Sequence, residues 1–155
     1  MTTTDEDPAQ HGTSAPSSPA RGAISAVITV ALLVDAVVHL HLAPRYQLSA
    51  PGGIGAGNLF RVQAVVAVAA AVWVMLRGSR NSYAAAFLVA ISALGAVIVY
   101  RYVNVPMLGP LPAMYEPVWF TEKTASAVAE AVAAVAAAAA LVVVVHRHIP
   151  QDLPK

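Results

Sequence analysis

The sequence contains no cysteine. That absence excludes disulfide exchange, iron–sulfur clusters, covalently attached c-type haem and the thiol chemistry of quinone-linked four-helix membrane oxidoreductases. Charge is almost as scarce. Asp, Glu, Lys and Arg make up 11% of the 155 residues, where a soluble domain carries about a quarter. Lys and Arg are missing altogether from the first 20 positions, which hold Asp5, Glu6 and Asp7. The formal net charge is +1, so the chain beyond that acidic start carries +4. Such a thin and scattered excess does not make a nucleic-acid surface, and no nucleic-acid partner is expected. The glycine-rich run Pro51-Gly52-Gly53-Ile54-Gly55-Ala56-Gly57 lacks the Lys-Ser/Thr ending of a phosphate loop.

What the chain has in abundance is hydrophobic sequence, 58% of it. Four apolar stretches, at residues 23–43, 59–76, 83–100 and 124–145, are separated by charged or Pro/Gly-rich segments. About 20 residues at about 1.5 Å rise cross a hydrocarbon core about 30 Å thick. The fold class is therefore all-α, an integral membrane four-helix bundle in the lipid bilayer. Residues 1–21, rich in Pro, Ser and Thr, are expected to be a disordered tail. The transmembrane domain should cover 22–148, and 149–155 a short C-terminal tail. The acidic amino terminus is unlike a signal peptide, so helix 1 is expected to be retained. Pro44-Arg45-Tyr46 should end helix 1, and Pro106, Pro110, Pro112 and Pro117 should keep the third connection non-helical.

With both termini cytoplasmic, the inner segments hold Arg21, Arg77, Arg80, Arg147 and Lys155, and the outer ones Arg45, Arg61, Arg101 and Lys123. This margin of one favours that orientation in the cell membrane under the positive-inside rule. Helix 4 carries small-xxx-small pairs such as Ala127/Ala131 and Ala133/Ala137, which allow close helix approach. An inward face at Ala127, Ala131 and Ala134 is expected.

The functional lead is the set of polar residues that lipid should have excluded. Asp35 lies roughly 12 Å from the outer end of its run and Glu130 roughly 9 Å from the same side. A carboxylate at mid-helix costs about 2.5–3.5 kcal/mol to insert, so each must face the bundle, meet a cation or carry a proton. His39 shares the helix face of Asp35 four residues on, whereas His41 points elsewhere. Glu122, Ser126 and Glu130 form a stripe on helix 4, Arg61 and Gln63 open helix 2, and Arg101 and Asn104 close helix 3. The candidate ligand- or proton-binding residues are thus Asp35, His39, Arg61, Arg101, Glu122 and Glu130, with an arginine as counter-charge. They could equally form a structural clamp that sets helix register.

His39, Asp35 and Glu130, with Glu122 as a further candidate, could present ligands to a divalent metal. His-x-His on a helix cannot chelate through one face, however, and no His-x3-His or Glu-x-x-His pair exists, which argues against one. Met107 and Met114 suggest copper only weakly. His146 and His148 lie at the opposite face from His39 and His41, so a bis-histidine haem has no facing pair at equal depth.

The strings Val38-His39-Leu40-His41-Leu42 and Gly109-Pro110-Leu111-Pro112-Ala113-Met114-Tyr115-Glu116-Pro117-Val118-Trp119-Phe120-Thr121-Glu122-Lys123 resemble those of small actinobacterial four-helix membrane proteins to which no activity is assigned. In size and topology alone the chain is also similar to DoxX-like proteins, some of which associate with quinone-linked redox enzymes. The resemblance implies architecture and carries over no functional residue. In the second string Trp119 and Phe120 suit the headgroup region, Thr121 a helix cap and Glu122 the positive helix end.

The favoured function is a membrane binding or accessory protein with an outward-facing polar pocket between helices 1 and 4, working with other membrane subunits or as a homo-oligomer. The competing class is a proton-coupled transporter or quinone-linked redox protein using Asp35, His39 and Glu130. Neither broken helices nor internal repeats support the transporter, and no nucleophile or cofactor motif supports an enzyme. Cysteines introduced at Ser49 and Ser79 should label from opposite sides of the membrane. Access to Ser79 but not Ser49 from outside would invert the orientation.

Overall fold

A computed structural model describes residues 19–146, with side chains through 144. The expected tails lie almost wholly outside that range, as do Arg147, His148 and Lys155. Four helices follow one another: α1 (Pro19–Ser49), α2 (Ala56–Arg77), α3 (Arg80–Tyr102) and α4 (Thr121–His146). All four are long and apolar enough to cross a membrane, and the protein is a four-span integral membrane protein. Valines such as Val37, Val65 and Val135 are 65%, 68% and 70% exposed. In water that surface would be a liability, but against lipid tails it costs nothing.

The helices form a ring in chain order. α1 packs extensively on α2 and α4, and α3 on α4, while the α2–α3 seam is thinner and α1 barely meets α3 across the diagonal. The 78–79 turn sits at one end and both longer connections at the other. Gly78 closes α2 in the left-handed conformation, and Ser79 starts α3 with a reciprocal capping box to Ser82.

The core is built mostly from alanine. Ile28, Ala31, Leu32 and Ala36 of α1 meet Ala64, Ala67, Ala71 and Val74 of α2, Tyr83, Ala86 and Ala90 of α3, and Ala133 and Ala137 of α4. Tyr83 is fully buried, and its hydroxyl lies 2.8 Å from Ser25 Oγ, which satisfies the only polar atom of a large side chain. Deep burial on α4 falls on Ser126, Ala129, Glu130, Ala133, Ala134, Ala137 and Ala140. Ala134 lies on the inward face as expected, but Ala127 and Ala131 are only half-buried at its margin. The expected face is therefore rotated, because the run of alanines marks no side as inward and the two polar residues do.

α1 is longer than the sequence suggests. It starts at Pro19 and runs through Pro44 to Ser49. Pro44 lacks the N–H that would bond Leu40, but proline is tolerated where the helix end is held by packing. Tyr46 stacks on Phe60 of α2 with ring centroids 4.5 Å apart, and its hydroxyl donates to Glu116 Oε2 at 3.2 Å. Gly57 lets the backbones meet there, since a Cβ on it would lie 2.3 Å from the Ala43 carbonyl oxygen.

The 103–120 connection is hairpin-like. Val105 and Met114 exchange both backbone hydrogen bonds, and so do Leu108 and Leu111, across a tight turn at Gly109-Pro110. Ile54 N–H donates to Pro110 O at 2.8 Å, tying this hairpin to the first connection. α4 begins at Thr121 itself, so that residue lies in the first helical turn.

Replacing Ala133 with Leu should overpack the bundle and lower stability in detergent by about 1–3 kcal/mol. The same change at half-buried Ala131 should cost clearly less. Equal losses would contradict the inward face described here.

Candidate functional site

Three helices bring five polar side chains together, about 8–14 Å below the loop-side ends of α2 and α4 and about 15–21 Å from the end of the longer α1. Asp35 and His39 lie one turn apart on the buried stripe of α1, and Ser126 and Glu130 one turn apart on that of α4. Gln63 of α2 completes the group. Asp35 and Glu130 are both 0% exposed, and His39 is 9% exposed.

Asp35 is the hub. Its Oδ1 lies 2.9 Å from His39 Nδ1 and accepts from the Ser126 hydroxyl at 2.8 Å. Its Oδ2 accepts from Gln63 Nε2 at 3.2 Å. The Asp35 backbone oxygen is also 3.0 Å from His39 Nδ1, so that nitrogen carries hydrogen and is wholly committed to Asp35. Ser126 Oγ stands between the two acids, 3.1 Å from Glu130 Oε1. Glu130 Oε2 is buried and has no hydrogen-bond partner among the described residues.

Of the six residues picked out in the sequence, Asp35, His39 and Glu130 lie together and the others do not join them. Arg61 is exposed and donates to Asn58 Oδ1 at 2.7 Å. The Arg101 guanidinium sits over the Tyr102 ring, 5.0 Å from its centroid. Glu122 is half-buried, two turns above Glu130. The expected arginine counter-charge is thus replaced by His39, which needs no long flexible stem to reach Asp35. Arginine at a helix end reaches toward the polar membrane surface instead. His41 is exposed, as its angular offset requires. Ser126 and Gln63 belong to the cluster as fully as the acids, and their signal in the sequence was a polar residue inside an apolar run.

Asp35, His39 and Glu130 each offer a ligand atom within 4.8 Å of the others, the spacing of a possible metal group. In this arrangement, however, His39 Nδ1 and both oxygens of Asp35 are already engaged with protein donors and acceptors. A metal would have to displace those bonds, so the arrangement is that of a hydrogen-bonded cluster.

A cavity of about 340 Å³ opens beside the cluster, bounded by all four helices and the 103–120 hairpin rather than by α1 and α4 alone. Phe60, Ala93, Val97, Leu111 and Met114 make apolar walls, and His39, Gln63 and Ser126 make a polar end. Tyr46, Glu116 and Lys123 form a second polar edge under the hairpin. Lys123 is buried at 7% exposure and its ammonium donates to the Glu116 carbonyl oxygen, with the Trp119 ring centroid 5.4 Å away. Phe60 packs edge-on against His39 at 5.0 Å. The larger hollow, about 1110 Å³ between α1 and α4, is walled by Val27, Val30, Val34, Val128 and Val132 and lies on the lipid-facing surface. It touches none of the five polar side chains.

Comparison of the chain with protein-family models, curated proteins and solved structures finds no match to any of them. The chemistry of the cluster and the shape of the cavity therefore carry the functional reading.

Asp35→Asn should be strongly destabilising, by about 3–5 kcal/mol, because it leaves His39 without its buried counter-charge and turns an amide N–H toward other donors. Coupling Asp35→Asn with His39→Gln should cost less than the sum of the two single changes. Additive losses in detergent unfolding would mean that the pair contributes nothing as a pair.

Proposed function

We propose that the protein is a membrane binding protein that takes a lipophilic small molecule from the bilayer into the cavity, with the polar head of that molecule against His39, Gln63 and Ser126. The observation that carries this reading is a cavity with apolar walls and one buried hydrogen-bonding end. This is the usual construction of a small-molecule site, and about 340 Å³ is within the usual size range. The mouth supports entry from the side. Val62 of α2 and Ser92 and Ala96 of α3 line the cavity and are also exposed, at the seam where the helices pack least closely. A molecule dissolved in the lipid reaches that seam without crossing water.

The polar end favours a head group that accepts hydrogen bonds. His39 commits Nδ1 to Asp35, which leaves the other ring nitrogen for a ligand, and Gln63 and Ser126 lie beside it. The margin of one Lys or Arg in the segments formed by the termini and the 78–79 turn supports an orientation with both termini inside and the cavity in the outer half of the membrane. Association with other membrane subunits or with a second copy belongs to the same reading.

Native mass spectrometry of protein extracted into lipid nanodiscs should detect a co-purifying lipophile. Ala96→Trp, which fills the mouth, should remove it, and Val65→Trp, on the lipid-facing side of α2, should not. Retention of the molecule in Ala96→Trp protein would place its site elsewhere, and an empty wild-type protein would defeat the proposal.

A further inference from the structure

We propose that Glu130 carries a proton in the resting protein, and that Ser126 lets this proton pass to Asp35, so that the cluster is a proton-exchange site bordering the cavity. The argument is a count of hydrogens and does not depend on a ligand. Ser126 Oγ contacts Asp35 Oδ1 at 2.8 Å and Glu130 Oε1 at 3.1 Å. A hydroxyl has one hydrogen and can donate to one of them only. The other contact brings two oxygens together and is favourable only if a carboxyl supplies the hydrogen.

That carboxyl is Glu130. Both oxygens of Asp35 already accept, from His39 and Ser126 on one and Gln63 on the other. A hydrogen on Asp35 would sit on an oxygen that already accepts from a donor and would remove the charge that faces His39. Among the described residues Glu130 has one hydrogen-bond contact, to Ser126, and its second oxygen is buried with no hydrogen-bond partner. An anion left so poorly satisfied in a fully buried position is costly, whereas a neutral carboxyl there is far less so. The chain of donation then runs from Glu130 O–H to Ser126 Oγ, and from Ser126 O–H to Asp35 Oδ1. Charge closes as well: imidazolium His39 offsets carboxylate Asp35, and protonated Glu130 adds nothing.

Transfer needs no other reactant. The Glu130 O–H bond breaks as Ser126 Oγ takes its hydrogen, and the hydroxyl's own hydrogen forms a bond to Asp35 Oδ1. The negative charge moves from Asp35 to Glu130, and the number of protons is unchanged. His39, which lines the cavity, then loses its nearest counter-charge, which makes the cavity a better site for a head group able to take up a proton. The groups facing the cluster are few. α1 contributes Asp35 and His39, and α2 the uncharged Gln63. The polar groups that α3 brings to the cavity are Ser92 and Tyr100. On α4, Lys123 lies one turn above Ser126 with its ammonium on the Glu116 and Val118 carbonyls.

Infrared difference spectroscopy of the protein in liposomes at neutral pH tests this directly. Wild-type protein should show the carbonyl band of an undissociated carboxylic acid. Glu130→Gln should abolish that band and Asp35→Asn should leave it. Ser126→Ala, which keeps both acids and needs little repacking, should shift it to higher frequency by removing its hydrogen-bond partner. No such band in the wild type, or one untouched by Glu130→Gln and Ser126→Ala, would overturn the proposal. So would elemental analysis finding one divalent ion per chain together with a band that appears only after chelation.

Discussion

Two carboxylic acids lie fully buried between apolar helices, and most of the structure can be read as the answer to that constraint. Asp35 draws donors from three helices: His39 beside it on α1, Gln63 from α2 and Ser126 from α4. Those contacts fix the rotation of each helix about its axis, because turning any one of them by a residue would carry its polar group into lipid. In this sense the cluster sets the register of the bundle whatever else it does. The structural and functional readings do not compete, since a site that must hold a proton in a fixed place also has to hold its helices.

The apolar spans were legible because bilayer thickness translates into helix length. The proximity of Asp35, His39 and Glu130 was legible from matched depth and an i, i+4 spacing. The arginines misled because depth along the axis says nothing about direction around it. Arg61 sits at the right height but on the exposed side, with Asn58 as its partner. Pro44 misled in a different way: local preference ends a helix there, but Tyr46, Phe60 and Glu116 hold another turn in place. The alanines of α4 were legible as a packing surface and illegible as an orientation, because a run of identical residues has no periodicity.

The cavity was the least visible feature in the sequence. It lies beside a mismatch between helix pairs: α1 sits tightly on α2, with Gly57 against the Ala43 carbonyl, while α2 and α3 form the thinner seam. The hairpin then closes the space from above. Its Met114 and Leu111 face the cavity, and its Pro110 carbonyl is held by Ile54. Such a roof depends on contacts between segments some fifty residues apart, which no local pattern announces.

The alanine core has a consequence of its own. Burying a leucine or methionine freezes rotatable bonds, at a cost of up to about 2 kcal/mol for the longest side chains, and leaves alternative rotamers close in energy. Alanine has no such torsions to freeze or to exchange. The walls behind Glu130 and Ser126, at Ala129, Ala133 and Ala137, are therefore as rigid as the helix backbone itself. Side chains backed by such a surface have few neighbouring rotamers to disturb their spacing, which should change little as side-chain motion increases with temperature.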